Sequence, residues 1–233
     1  MTFLDHLLEY AFMAMYAITL VIALWKYPKY YGSPLKYFPV LVMYTFLSEL
    51  LGYLVRSYDQ ISLFLNNLFQ NYSWVIFNIY NLVFFYFFSY VFWCYLKKRW
   101  QRVYLFSGMF LLLLASLLNA YQDNFMLESQ VYAYVTGGLF LLGSIVIYFI
   151  EEYREKGSWF DGRELLSWLS LGMFIFYSGY MPIKVYRHFQ LIYPLNEPLF
   201  IRRLHLTLIV LMYACFVIGF LRMRNKPQGH LTS

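Results

Sequence analysis

QVYAYVTGGLFLLGSIVIYFI, residues 130–150, runs without a single charged side chain and then breaks into Glu151-Glu152-Tyr153-Arg154-Glu155-Lys156. A helix rises 1.5 Å per residue, so about 30 Å of hydrocarbon takes roughly 20 residues, the length of this run. A lipid-facing strand would alternate apolar and polar side chains over about 10 residues. The run is continuous and longer, which predicts a helix that crosses a membrane.

Six more stretches of the same kind stand at 7–25, 36–56, 73–96, 103–121, 165–183 and 204–221. They predict an all-α integral membrane protein, a bundle of seven transmembrane helices. One transmembrane domain is expected over 1–222, with a short tail at 223–233. Composition agrees. Of 233 residues 61% are apolar and only 13% are charged, against about 25% charged in an ordinary soluble domain. That excludes a soluble enzyme, a disordered tail, a collagen-like fibre and a disulfide scaffold. The first stretch reads as a helix of the mature protein: Asp5 and Glu9 lead it, and Trp25-Lys26-Tyr27-Pro28 follows where a signal peptide would carry small residues. No internal repeat is visible, which weighs against an inverted-repeat transporter.

Lys and Arg divide unevenly between the two sides. Thirteen fall in the loops after the first, third and fifth stretches and in the tail, and five fall opposite. The positive-inside rule puts the richer side in the cytoplasm. The N-terminus is then outside and the C-terminus cytoplasmic, in what is expected to be a bacterial inner membrane. The net charge of +6 reads as a topology signal, so no nucleic-acid partner is expected.

Polar residues inside spans carry the functional information. Glu49 lies seven residues below Arg56, about 10 Å deep at the helical rise. Asn78 and Asn81 lie five and eight residues below Ser73, at about 8–12 Å on the same arithmetic. Glu49 shares a stripe with Thr45, Gly52 and Arg56. A carboxylate at that depth costs several kcal/mol unless it is paired, protonated or wet. The inner half holds mainly lone hydroxyls such as Ser89, Ser107, Ser144, Ser167 and Ser170, which can bond to their own helix. This asymmetry predicts a polar cavity open to the outside above an apolar plug.

Four of the five outside basic residues cluster around the last outer loop: Lys184, Arg187, Arg202 and Arg203, with His188 and His205 beside them. Arg202 and Arg203 stand at an expected helix start, where free N–H groups also favour an anion. The bland alternative is that they snorkel to head groups or pair with Glu197 and Asp123. Pro182 is expected to end the sixth helix.

Several chemistries are excluded. No Lys stands in 204–221 for a retinal Schiff base, no GxSx stands in a span, four scattered His cannot build a di-iron site, and HExxH, P-loop and GxGxxG patterns are absent. No metal or cofactor is expected, and no catalytic residue is assigned. The expected function is binding or sensing of a small anionic or amphipathic ligand, through Glu49, Arg56, Asn78, Asn81, Lys184, Arg187, Arg202, Arg203 and His205. The expected surroundings are the lipid bilayer and a membrane or cytoplasmic protein partner. The alternatives are an intramembrane enzyme on a lipid-linked substrate, with Glu49 as acid or base and His205 or His188 beside it, and a ligand-free accessory subunit.

Overall fold

A computed structural model describes residues 3–57, 59–122, 128–192 and 198–224, with side chains outside 3–6, 55–73, 122 and 190–192. Every regular element among the described residues is helical: α1 (Phe3–Trp25), α2 (Tyr27–Tyr30), a 3-10 turn (Pro34–Tyr37), α3 (Phe38–Ser57), α4 (Asp59–Tyr95), α5 (Arg99–Gln122), α6 (Val131–Lys156), α7 (Leu165–Ile192) and α8 (Leu199–Arg222). Six segments are long and apolar enough to cross a membrane: those of α1, α4, α5, α6 and α8, and the 3-10 turn continued into α3. The chain is therefore a helical, multi-pass membrane protein. α7 has the length, 28 residues, but Ser178, Pro182, Lys184, Arg187 and His188 dilute its apolar character.

Two helices exceed the sequence expectation. α4 begins at Asp59, well before residue 73. No Gly or Pro stands between 59 and 95 to stop it. Pro182 does not end α7, which continues to Ile192. Pro182 and Ser178, whose carbonyl loses its i+4 donor, both lie on the exposed side of the helix. α6 and α8 hold the opposite side, so packing overrides the local break.

The chain closes a ring. α1 packs on α3, α3 on α4, α4 on α6, α6 on α7, α7 on α8, and α8 returns to α1. α5 stays outside the ring, broadly against α6 and more thinly against α4. Aromatic rings fill the interior. Phe38 meets Phe216 at 5.5 Å, Phe220 at 5.7 Å and Phe88 at 6.3 Å between centroids. Phe84 meets Phe88 at 4.8 Å. Lipid tails are as apolar as these rings, so burial alone does not drive helices together; close packing and edge-to-face ring contacts do.

Small residues set the closest approaches. A Cβ on Gly172 of α7 would stand 2.8 Å from the backbone oxygen of Met212 in α8, and one on Gly219 would stand 2.6 Å from Trp168. Gly172→Ala therefore forces α7 and α8 apart. It is expected to cost about 1–3 kcal/mol and to lower the melting midpoint in detergent. Gly32→Ala, where a Cβ meets nothing within 4 Å, is expected to melt like the parent protein.

Candidate functional site

The end of the bundle that bears the N-terminus carries the polar interior. Five of the six ring helices contribute tyrosines to it: Tyr16 from α1, Tyr80 from α4, Tyr134 from α6, Tyr177 and Tyr180 from α7, and Tyr213 from α8. Tyr16 packs edge-on to Tyr213 at 4.5 Å. Tyr134 meets Tyr180 at 5.7 Å and Tyr177 at 5.8 Å. The remaining ring helix, α3, supplies Tyr44, stacked on Tyr80 at 5.4 Å, with its hydroxyl donating to the Ile76 carbonyl at 2.9 Å. α3 also supplies Glu49, a charge neighbour of both Tyr16 and Tyr80. Phe84, Phe85, Phe88 and Phe216 close the interior on the other side of this belt. Tyr16, Tyr134, Tyr177 and Tyr213 are themselves buried, so packed rings stand where the sequence predicts an open polar cavity.

The cations stand at the belt's upper edge. Lys184 and Arg187 are three apart on α7 and share a face. The Lys184 ammonium lies 5.5 Å from the ring centroids of both Trp74 and Tyr134, a cation–π setting. Arg187 Nη1 is 3.4 Å from His205 Nδ1. The His205 ring stacks on Tyr180 at 4.3 Å. Among the described residues, Arg187 is a charge neighbour of Lys184, and Arg187 and Lys184 are charge neighbours of His205. Among the described residues no carboxylate lies within ion-pair distance of Lys184.

The other expected site residues separate. Arg202 pairs with Glu9 of α1, so it ties α8 to α1. Asp123 and Glu197, the carboxylates expected near it, lie outside the described residues, as does the side chain of Arg56. Arg203 is half-buried and engaged within the protein. Asn78 is fully buried, and its amide serves the backbone: Nδ2 donates to the Glu128 carbonyl at 2.9 Å and Oδ1 accepts from the Gln130 N–H at 3.2 Å. Asn119 does the same one turn on, its Oδ1 accepting from the N–H groups of Tyr132 at 2.9 Å and Ala133 at 3.4 Å. Both satisfy donors at the start of α6 that have no helical partner.

Asn78, Asn81, Gln130 and Tyr134 line a cavity of about 10 Å³. That is room for one water molecule. Gln130 is 5% exposed, and neither polar atom of its side chain has a hydrogen-bond partner.

The opposite end is fastened by ions. Glu151 takes Lys98 at 2.5 Å and Gln101 at 3.0 Å, joining α6 to the α4–α5 loop. Glu152, Asp161 and Glu164 bring carboxylates within 4.8 Å of one another. Lys156 lies among them, paired with Glu152, with Glu164 at 2.9 Å and with Asp161 at 3.6 Å. An internal ammonium thus bridges the three carboxylates that would otherwise suit a metal. The hydroxyls of Ser107 and Ser144 bond to their own helices, at 2.8 and 2.7 Å, as expected; Ser167 pairs instead with the Tyr148 hydroxyl at 3.0 Å.

Compared with protein-family models, with curated proteins and with solved structures, the chain matches none.

Sequence reasoning missed Tyr16, Tyr44, Tyr80, Tyr213 and Trp74, because tyrosine and tryptophan read first as interfacial belt residues. Depth was the available signal: Tyr16 stands midway along 7–25, far from either interface. Gln130 was read only as the edge of a span.

The two amides make opposite predictions. Asn78→Leu strands backbone groups of Glu128 and Gln130 and is expected to cost about 1–3 kcal/mol. Gln130→Leu removes an amide that no protein group satisfies and is expected to stay within about 1 kcal/mol of the parent. Melting curves of both variants in one detergent check the order.

Proposed function

We propose that this protein is a receptor-like binding protein of the membrane, taking a small anionic or amphipathic ligand at the end that bears its N-terminus. The observation that carries the reading is Lys184. It is an ammonium within 5.5 Å of two aromatic ring centroids, with Arg187 a neighbouring charge and no carboxylate in ion-pair reach among the described residues. Lys184 is partly buried beside another cation, a setting that a counter-charge stabilises. An anion at Lys184, bordered by the His205 ring, supplies it. Glu49 and the niche of Asn78 and Asn81 border the same interior.

In this reading α7 is a seventh span, because it closes the ring between α6 and α8. The loop-charge bias favours the binding end outside and the C-terminus in the cytoplasm, and the membrane in this reading is a bacterial inner membrane. α7 carries the cations near one end, and Glu164, just before its start, belongs to the Lys156 ion cluster at the other. A pull on Lys184 would reach the cytoplasmic loops, where a protein partner reads it. A second reading, an enzyme on a lipid-linked substrate, is favoured by one feature. Glu49 neighbours Tyr16, Tyr16 neighbours Tyr180, and Tyr180 stacks on His205, so an acid and an imidazole border one belt.

Binding is tested with inorganic phosphate, glycerol phosphate and decanoate against the full chain in nanodiscs. Trp74 fluorescence is the readout, and Trp74→Phe is the blank. At least one probe is expected to saturate, and Lys184→Gln with Arg187→Gln to weaken it about tenfold or more, the scale of losing hydrogen bonds to a charged group. Saturation unchanged in both variants overturns the site. Orientation is tested in Cys94→Ala, Cys215→Ala protein carrying Gly32→Cys. An impermeant maleimide is expected to label it only after cells are opened.

A further inference from the structure

The far end of the bundle carries a second feature, unrelated to the tyrosine belt. α5 touches α4 only thinly, and at the start of α5 the seam between them opens into a groove of about 360 Å³. Trp93, Lys97, Arg99, Arg102, Val103 and Phe106 line it. Three of the six are cations and none is acidic. The nearby carboxylate, Glu151, is already taken by Lys98 and Gln101. Arg102 lies over the Trp93 ring at 5.6 Å.

Charge and apolarity are ordered along α5. Arg99, Arg102, Val103, Phe106 and Phe110 follow the three-and-four spacing of one helix face. The cations stand in the first turn, and the apolar members follow. Val103, Phe106 and Phe110 are 60%, 64% and 54% exposed. From Arg99 to Phe110 the stripe rises about 16 Å at the helical rise, about half the hydrocarbon thickness. The groove, with the exposed face that continues from it to Phe110, therefore matches one molecule with an anionic head and a tail one leaflet long.

We propose that this α4–α5 groove is a binding site for an anionic glycerophospholipid. Its phosphate sits among Lys97, Arg99 and Arg102, and one acyl chain lies along Val103, Phe106 and Phe110. Basic pockets between helices at the membrane surface hold anionic head groups in this way. Trp93, at the junction of head and tail, is the natural reporter. The site lies at the end opposite Lys184, so it stands or falls separately from the ligand site.

The test uses the full chain in phosphatidylcholine nanodiscs doped with phosphatidylglycerol. Chains brominated near the head group quench neighbouring tryptophan, and the Trp93→Phe protein isolates the Trp93 contribution. Brominated phosphatidylglycerol is expected to quench Trp93 at low mole fraction, and brominated phosphatidylcholine only in proportion to its amount. Arg99→Gln with Arg102→Gln is expected to raise the half-quenching fraction about tenfold or more. Arg154→Gln with Arg163→Gln, an equal loss of charge on the same side of the membrane, is expected to leave it unchanged. Glycerol phosphate in the buffer is expected not to compete, which separates a lipid from a free phosphate ligand. Equal quenching by both lipids in the parent protein overturns the proposal and needs no variant to fold. So does an equal effect of the two double variants.

Discussion

Hydrocarbon offers no hydrogen bonds, and everything in this fold follows from that. Each backbone N–H and C=O must find its partner inside the chain, so the spans are helices and the exposed problem is confined to their ends. The ends are handled one by one. Asn78 and Asn119 take the free donors before and at the start of α6. Gly157 turns left-handed, with φ of 70°, and returns its N–H to the Tyr153 carbonyl at 2.9 Å. Ser33 accepts from the Leu35 N–H at 3.3 Å and starts the 3-10 turn into α3. Polar side chains that look functional by depth alone are partly spent in this way, Asn78 above all.

Once the helices exist, lipid gives no apolar reward for bringing them together. The ring closes through fit: phenylalanine edges in the middle, and glycines where α7 and α8 approach. Its interior is not uniform. Six tyrosines from five helices gather in one part of it, and Phe38, Phe88, Phe216 and Phe220 pack together in another. Cations border the first group from α7, and ion pairs fasten the loops at the opposite end.

How much of this was legible depended on the kind of signal. Uninterrupted apolar length revealed the helices, because span length is fixed by bilayer thickness. Their overshoot was not legible: α4 starts at Asp59 because nothing stops it, and α7 passes Pro182 because α6 and α8 hold its other side. Lys184, Arg187 and His205 cluster in sequence around the loop expected to face outside, and the structure brings those three side chains near one another. Arg202 was found by the same signal and proves to be tied to Glu9. The two residues are far apart in sequence, so no local pattern links them. The tyrosine belt went largely unread, since a tyrosine's residue type does not tell an interface from an interior.

The central claim is that Lys184 and Arg187 hold an anion. The most direct measurement is an electron-microscopy map of the full chain in nanodiscs of native lipid, read around the Lys184 ammonium. The account predicts density for an anionic group within hydrogen-bond reach of Lys184 and Arg187, between His205 and Trp74. A map in which a carboxylate of the protein itself, such as Glu197, fills that place would contradict it.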